Sequence, residues 1–391
     1  MKRILVFTTT LGLGGITSHT VNLVNELSKS YDVTLAYTGD EAAKLTEISS
    51  NVKTVSFDFP NNKKTLSIMS KYGWIHHAIK VKFRKHNRVS PMYSLQRIAY
   101  AQAEGTELPN VLLKHYDVAI STAEFYCNDI VALKLEADIK IGWIHPDYRA
   151  LKADVDFDRK ILDKFKWIAV VSEDNKRILC ETISDYRGKV VYVPNLLNRK
   201  MLQDKSAVMP NEYKNADAEH IIVTVCRIDN SSKRLDRAVK ICKALKDKGE
   251  DFVWFIVGDG TDSKALKEMI RKNSLQKHMI MLGGRINPYP YIKYADLFVL
   301  TSQYEGRPIT VDEALTLGCP VIVSNYGAAE EQVHPEFGSV IDNSDDKIVD
   351  AFCKYLDWEI IKEQRRYLEN NDVLVAVKNK FDESIELMIK P

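Results

Sequence analysis

At 391 residues the chain is too long for one ordinary hydrophobic core and fits two domains. Apolar residues make up 45% and charged residues 28%, which excludes a disordered or fibrous protein, and the net charge of +2 singles out no class of partner. The six cysteines are scattered without a CxxC pair, which argues against a zinc site or a disulfide framework. The first residues are too short a run for a signal peptide, and no apolar stretch approaches the roughly 20 residues of a membrane helix, so we expect a cytoplasmic protein.

Strand and helix patterns alternate from the first residues onward. The run KRILVFTTT predicts a strand, LGLGGIT a glycine-rich turn, and SHTVNLVNELSK a helix whose apolar residues recur at helical spacing. Further strands are predicted at YDVTLAY, DVAIST, IKIGWIH, WIAVVS and KVVYVPN. Near-continuous apolar runs of this kind are typical of parallel strands that are buried on both faces.

The alternation stops after Asn195 and then restarts, which predicts a second domain of the same class. The polar stretch LLNRKMLQDKSAVMPNEYKNADAEH indicates an irregular linker. Beyond it we predict strands at HIIVTVCR, DFVWFIVGDG, HMIMLGG, ADLFVLTS and PVIVSN, with helices over 235–248, 262–273 and 309–317. The fold class is therefore α/β, with two Rossmann-like domains facing one another across a cleft. We predict domains at 1–197 and 198–365, and a C-terminal helix over 366–391 that packs back on the first domain.

The most informative stretch is ADLFVLTSQYEGRPITVDEALTLGCPVIVSN. It predicts a buried strand over 295–302, a polar loop that carries Glu305, and a helix whose second turn carries Glu313. Ligands of open α/β sheets bind outside the carboxyl ends of the strands, which is where this loop falls. Spacing alone leaves open that both glutamates are solvated surface carboxylates.

The start of that helix is suited to an anion. Pro308 falls near the first helical position, where a missing N–H costs nothing. The free N–H groups of the first turn and the helix dipole favour a phosphate. We expect Gly306, Pro308, Ile309 and Thr310 to contact a phosphate that is bound here.

The pattern Glu305-Gly306-x-Pro308-x-x-x-x-Glu313 resembles the E-x7-E signature of the retaining GT-B glycosyltransferases of family 4 (glycosyltransferase group 1), and NPYPYIKYADLFVLTSQYEG resembles members that build bacterial capsule or surface polysaccharide. The resemblance implies that Glu313 holds the ribose of a nucleotide and that Glu305 contacts the transferred sugar. It also implies that the backbone near Arg285 and Ile286 holds the base.

Arg227 and Lys233 follow the first strand of the second domain. Two cations at such a turn can neutralise the charge that develops on a departing diphosphate, although a basic surface loop is the simpler alternative. The family shows G-R-L with a Lys five residues after the Arg. Here Cys226 replaces the glycine and the gap is six residues, which leaves Arg234 as an alternative to Lys233.

The first domain offers two further candidates. Gly14 and Gly15 of the glycine-rich turn permit close approach of the backbone to a phosphate, and they match the family's N-terminal glycine loop. His145, at the end of a predicted strand, matches a histidine that the family places near the transferred sugar, although a lone histidine is often structural. Ser172 and Glu173 match a cleft segment more weakly.

Two other patterns bear on cofactors and partners. The acidic DVDFD (154–158) follows no strand, so we interpret it as helix surface and predict no metal requirement. Between Asp58 and Glu104 there is no acidic residue, while nine are basic. The stretch 71–88 mixes these cations with aromatic and aliphatic residues, which suits peripheral contact with an anionic membrane at the inner face of the plasma membrane. A solvated helix and RNA binding are the alternatives, but no nucleic-acid module accompanies the charge.

Together these features predict a metal-independent, retaining transfer of a hexose or N-acetylhexosamine from a nucleotide-sugar, with UDP favoured over GDP, to a glycan or lipid-linked acceptor in surface polysaccharide synthesis. A sugar-nucleotide epimerase, a phosphorylase or a non-catalytic partner subunit on the same fold stays open. A dinucleotide oxidoreductase fits less well, because G-x-G-x-x-G fails at Thr17.

Overall fold

The computed structural model describes residues 1–12, 14–39, 44–84 and 92–390. These residues form two compact units. The first consists of Met1–Leu196 with Asn379–Pro391, and the second of Leu197–Lys378.

The first unit is built on a seven-stranded parallel sheet of order β3-β2-β1-β4-β5-β6-β7. Its strands are β1 (Arg3–Thr8), β2 (Asp32–Thr38), β3 (Lys53–Phe57), β4 (Tyr116–Ser121), β5 (Ala137–Ile144), β6 (Trp167–Val170) and β7 (Val190–Tyr192). Its helices are α1 (Gly15–Leu27), α2 (Asn62–Lys71), α3 (Ile75–Arg84), α4 (Met92–Gly105), α5 (Tyr126–Lys134), α6 (Tyr148–Leu151), α7 (Val155–Leu162) and α8 (Glu173–Thr182). The strand order reverses between β1 and β4, so the crevice for a ligand is expected at their carboxyl ends.

Strand β1 is buried on both faces, as its continuous apolar run predicts. Leu5 and Phe7 belong to the core on the side of α5, whereas Ile4 and Val6 belong to the core on the side of α1. The sheet therefore lies between two hydrophobic cores, one on each face.

The second unit has a six-stranded parallel sheet of order β10-β9-β8-β11-β12-β13. Its strands are β8 (His220–Val225), β9 (Phe252–Val257), β10 (Met279–Gly283), β11 (Leu297–Leu300), β12 (Val321–Ser324) and β13 (Gly338–Ile341). Its helices are α9 (Arg199–Lys205), α10 (Asn211–Lys214), α11 (Leu235–Lys248), α12 (Ser263–Lys272), α13 (Tyr289–Lys293), α14 (Ile309–Thr316), α15 (Ala329–Gln332), α16 (Ile348–Tyr355) and α17 (Trp358–Asn370). Here the order reverses between β8 and β11, which places the second ligand crevice beside the loops that follow those two strands.

The stretch after Asn195 is not the irregular linker that its polarity suggested. It forms α9 and α10, and Leu202 and Tyr213 are buried in the core of the second unit. Asn198 starts α9 by accepting a hydrogen bond from the Met201 amide at 3.0 Å. Short helices with one apolar anchor each carry too little periodicity to be recognised in a polar sequence.

The last helix, α18 (Val375–Ile389), returns to the first unit. Phe381, Ile385 and Met388 are buried in the same core as Ile4 and Val6. The segment before it stays with the second unit, where Leu368 of α17 is buried, so the observed division falls at Asn379 and not at residue 366. Among the described helices none has the length and apolar character needed to cross a membrane.

Candidate functional site

The turn that carries Arg227 lies directly after β8 and is held by backbone contacts with the turn after β9. The amide of Cys226 donates to the Val257 carbonyl at 3.1 Å, and that of Ile228 donates to the Asp259 carbonyl at 2.9 Å. A Cβ on Gly258 would stand 1.9 Å from the Cys226 carbonyl oxygen, so only glycine allows this approach. The Arg227 side chain itself is 69% exposed and contacts Asp229 at 3.2 Å.

The spacing from Arg227 to Lys233 is one residue longer than the resemblance predicts, and the intervening residues form a turn that Asp229 stabilises. Its carboxylate accepts from the Ser231 amide at 2.9 Å and the Ser231 hydroxyl at 2.6 Å. Its carbonyl accepts from the Lys233 amide at 2.8 Å. Arg234 then takes a left-handed conformation (φ 50°) at the start of α11. The side chains of Lys233 and Arg234 therefore leave this turn in different directions.

Lys233 contacts Glu305, and this pair is the centre of the site in the second unit. The Lys233 ammonium donates to the Glu305 carboxylate, whose side chain is 12% exposed. The Ser302 hydroxyl donates to the same carboxylate oxygen at 2.7 Å. Arg234 instead pairs with Asp236 at 2.9 Å and Asp345 at 2.8 Å. Of the two cations left open by the sequence, the geometry brings Lys233 to the glutamate.

A second arginine fixes the loop that carries Glu305. Arg237 is buried and donates to Gln303, to the Asn343 carbonyl at 2.9 Å and to Asp345 at 2.6 Å. The Gln303 amide in turn donates to the Ser232 carbonyl at 2.7 Å. The loops after β8, β11 and β13 are thus tied together, which limits the freedom of Glu305.

Cys226 lies within the electrostatic reach of four charged residues of the site. Burial raises the pKa of its thiol to about 12, Lys233 and Arg227 lower that pKa, and Glu305 and Asp229 raise it. A neutral thiol therefore occupies the position at which the resemblance predicts a glycine.

Buried side-chain contacts stabilise the loop and helix that follow Glu305. Arg307 forms a bidentate pair with Asp312, both contacts being 3.0 Å, and their side chains are 3% and 1% exposed. Gln332 donates to the Pro308 carbonyl at 3.0 Å. Pro308 caps α14, whose first helical residues are Ile309 and Thr310, next to Gly306 in the chain.

The first turn of α14 supplies N–H groups that lack acceptors within the helix. Glu313 is buried in the second turn of this helix. The segment from β11 through the loop to α14 thus carries the Glu305 carboxylate, the amides at the start of the helix and the Glu313 carboxylate in succession.

Arg285 and Ile286 lie beyond β10 in the same unit. The Arg285 guanidinium contacts Glu212 at 3.0 Å and the Tyr291 hydroxyl at 3.2 Å. The Ile286 side chain is 77% exposed. Together with residues 208–212 they border a shallow depression.

In the first unit the glycine-rich turn follows β1 and His145 follows β5, and β4 lies between these two strands in the sheet. Gly14 adopts a positive φ of 147°, and a Cβ there would meet no atom within 4 Å, so the turn leaves open space above it. Gly15 begins α1. Leu13 of the same turn lies outside the described residues.

His145 is half-buried at the end of β5. Its Nε2 lies 2.8 Å from the Thr122 carbonyl oxygen, which only an N–H can approach, so Nε2 carries the proton. Its backbone amide lies 3.5 Å from the Glu124 carboxylate. Burial lowers the pKa of the imidazole to about 4, so the ring is neutral at neutral pH.

Two residues near His145 escaped sequence reasoning. His19 of α1 is buried with its ring 4.9 Å from that of His145. Glu124 follows β4 beside the point where the strand order reverses, and burial raises its pKa. The position of Glu124 at a strand end was a usable signal, whereas the spacing of His19 marks only a buried helix face.

The remaining candidates have structural contacts. Ser172 caps α8 by accepting from the Asn175 amide at 3.0 Å, and Glu173 lies 3.8 Å from Lys176. Within the acidic 154–158 segment, Asp154 caps α7 by accepting from the Phe157 amide at 3.2 Å. The described ranges contain no cluster of three His, Cys, Asp or Glu side chains that could hold a metal ion.

Two parallel sheets covered by helices, with a C-terminal helix that returns to the first unit, are the architecture of the GT-B glycosyltransferases. The structure of HepE from Anabaena with UDP-glucose superposes with a TM-score of 0.70 at 12% identity, over 99% of this chain and 100% of that one. At this identity the likeness concerns the fold alone.

The sequence of the second unit is similar to a known family. Residues 205–372 match the family described as "Glycosyl transferases group 1".

Two relatives align with part of this chain. An uncharacterized glycosyltransferase of Methanocaldococcus jannaschii is 31% identical over 42% of this chain and 41% of its own length. The UDP-Gal:alpha-D-GlcNAc-diphosphoundecaprenol alpha-1,3-galactosyltransferase of Escherichia coli is 33% identical over 32% of this chain and 33% of its own length. The matches therefore span less than half of these curated relatives.

Proposed function

We propose that this chain is a retaining glycosyltransferase that moves a hexose or N-acetylhexosamine from a nucleotide-sugar to a glycan or lipid-linked acceptor. The contact between Lys233 and Glu305, next to the amino end of α14, is the observation that carries the proposal. It puts a cation, a carboxylate and free amides beside one another at the carboxyl end of β11, inside the stretch that matches the family.

Each part of the nucleotide-sugar donor is assigned to a residue whose charge or hydrogen-bonding groups suit it. Arg227 and Lys233 are assigned to the diphosphate, because the third cation of the loop after β8, Arg234, pairs with Asp236 and Asp345. The first amides of α14, at Ile309 and Thr310, take a phosphate oxygen. Glu313 takes the ribose hydroxyls, and Glu305 takes the transferred sugar.

The remaining assignments complete the donor. The backbone at Arg285 and Ile286 is assigned to the base. The glycine turn at Gly14 and Gly15 is assigned to the diphosphate, and His145 to the sugar.

In the proposed reaction the bond from the anomeric carbon to the diphosphate oxygen breaks, and a bond from that carbon to the acceptor oxygen forms on the same face. The acceptor hydroxyl proton passes to a diphosphate oxygen. The two cations stabilise the charge that develops on the leaving group, so we expect no metal requirement. Glu305 orients the sugar and is not required as a nucleophile.

The relatives favour UDP and a lipid-linked acceptor. The E. coli relative is named for transfer from UDP-Gal to a diphosphoundecaprenol-linked sugar, and the HepE structure holds UDP-glucose. An epimerase would leave the nucleotide attached to the sugar, and a partner subunit would release none.

The test is release of free UDP from a panel of UDP-sugars, with the anomeric configuration of the product read by NMR. Glu305→Gln should lower kcat by about 10²-fold or more while the Kd for the donor changes little. Glu330→Gln, an exposed glutamate of the same unit, is the matched control. Activity should persist in EDTA. An inverted product, an absolute need for metal, or full turnover of Glu305→Gln would each refute the corresponding part.

We further propose that the face formed by α2 and α3 rests on an anionic membrane. Leu66, Tyr72, Ile75 and Ile79 are exposed large apolar side chains of this short stretch. Lys63, Lys71 and Lys80 are exposed among them. Within the part of the chain that the structure describes, only Lys71 of these three forms an ion pair, with Glu104 at 3.6 Å. Residues 85–88 of the predicted 71–88 segment lie outside the described residues.

Sedimentation with vesicles tests this contact. We expect binding to vesicles with anionic lipid, little binding to neutral ones, and weakening by salt. The double variant Ile75→Ser and Ile79→Ser should reduce binding, whereas Leu113→Ser, an exposed leucine outside both helices, should not. Equal binding to neutral vesicles would contradict an electrostatic contact.

A further inference from the structure

The imidazole of His19 lies in an aromatic cluster under the carboxyl end of the first sheet. Its ring centroid lies 4.5 Å from that of Trp143 and 4.9 Å from that of His145, which it meets edge-on at 77°. The side chain is 2% exposed. A histidine at this depth needs a reason, because a leucine or phenylalanine would fill helix α1 without the cost of burying ring nitrogens.

The neighbour that His19 contacts has a fixed tautomer. Because Nε2 of His145 donates to the Thr122 carbonyl, its Nδ1 is the unprotonated nitrogen and can only accept. In the part of the chain that the structure describes, no protein donor reaches Nδ1 within hydrogen-bonding distance. The backbone that follows the ring is held as well, since the Asn175 side-chain amide donates to the His145 carbonyl at 2.9 Å.

We propose that His19 is a positioning residue that holds His145 as a neutral ring whose Nδ1 accepts a hydrogen bond from a carbohydrate hydroxyl. This inference rests on the proposed function, and it adds a residue to which neither the motifs nor the relatives assign a role. The edge-on contact restrains the imidazole plane from one side, while Trp143 lies nearly parallel to it at 6.2 Å. The hydrogen bond from Nε2 to the Thr122 carbonyl fixes the ring at a third point.

The charges around the pair are consistent with two neutral rings. Burial lowers the pKa of His19 well below its usual value, and the proximity of His145 lowers it further, because two adjacent imidazolium ions repel. Glu124, from the loop after β4, is the acidic group next to the His145 backbone, and burial raises its pKa, so it favours imidazolium less than an ionised carboxylate would. Asn195, which approaches His19, and Asn175, which approaches His145, carry no charge.

Nitrogen NMR of the full chain tests the proposal without turnover. In the wild type we expect the His145 ring to show the neutral, Nε2-protonated pattern down to at least pH 6. His19→Ala removes the restraint and admits water, so the ring should sample both tautomers and protonate at higher pH. His19→Phe keeps an aromatic edge and should preserve the pattern. His115→Ala, an exposed histidine of the same unit, is the control.

Kinetics give the second readout. His19→Ala should lower kcat about tenfold, the loss of roughly one hydrogen bond in the transition state, with the donor KM nearly unchanged. His19→Phe should recover most of that loss. If hydrolysis of the UDP-sugar without acceptor falls equally, the hydroxyl belongs to the donor sugar; if only transfer falls, it belongs to the acceptor.

Two results would overturn the inference. One is an unchanged His145 spectrum in His19→Ala. The other is an equal loss of kcat in His19→Ala and His19→Phe with the Nε2-protonated pattern intact, because it would give His19 a role of its own. A tautomer change in a chain that uses no nucleotide-sugar would leave the positioning role standing and refute the proposed function instead.

Discussion

Asp129 is a carboxylic acid in surroundings that disfavour its charge. It is 4% exposed on α5 and lines a small cavity with Glu124 and Asp158. Burial and the neighbouring charge of Asp158 raise its pKa well above the usual value. Because the folded chain binds this proton more tightly than the unfolded chain, Asp129 lowers stability progressively as the pH rises above about 4, the ordinary aspartate pKa.

We therefore predict that Asp129→Asn raises the free energy of unfolding at pH 8 and changes it little at pH 4. Denaturant unfolding at both pH values measures the difference. Asp156→Asn, an exposed aspartate of α7, should have nearly the same effect at both. A variant less stable than the wild type at pH 8 would mean that the folded chain favours the ionised carboxylate.

At the scale of single elements, the turn after β9 acts on the site through the backbone. Gly258 has a φ of 149° and approaches the Cys226 carbonyl, while Gly260 approaches that of Ile228 in the same way. These two glycines fix the position of the turn that carries Arg227. Glycine is required at both positions for steric reasons, because a Cβ would overlap the neighbouring carbonyl oxygen.

Gly258→Ala should destabilise the second unit by roughly 2 kcal/mol or more, because the φ is unfavourable for alanine and the new methyl group overlaps a carbonyl. Gly284→Ala is the control, since its Cβ would meet its nearest atom at 3.9 Å with no positive φ. Thermal unfolding of both variants makes the comparison. Equal midpoints for the two would show that the turn can move aside.

The elements differ in how far the sequence predicts them. The helix over 235–248 has the bounds of α11, because a strand end, a long amphipathic run and a terminal glycine all mark it. The Glu305 loop was predictable for the same reason, since it joins a clear strand to a clear helix. The contact between Lys233 and Glu305 and that between His19 and His145 were not, because each joins residues 72 or more than 100 positions apart. Such pairs depend on strand order, which periodicity does not reveal.

At the scale of the whole molecule, the first unit is completed by the last helix. Phe381 is 1% exposed in the core that α18 shares with β1, and the Lys2 ammonium donates to the Ile389 carbonyl at 2.8 Å. Both ends of the described chain therefore support one sheet.

Phe381→Ala should cost about 3–5 kcal/mol, the usual penalty for removing a buried aromatic ring. Hydrogen exchange should show weaker protection in β1 and unchanged protection in β11, which belongs to the other unit. Leu387→Ala, an exposed position of the same helix, should change neither. Equal loss of protection in both strands would mean that the two units unfold together.

The return of α18 has a consequence for synthesis on the ribosome. The second unit is continuous in the chain, so all of its strands and helices are available once Lys378 has emerged. The first unit begins with residue 1 and still lacks Phe381, Ile385 and Met388 at that moment, which leaves the β1 surface that they cover open to solvent or to a chaperone. The unit that is translated first is thus the one that is finished last.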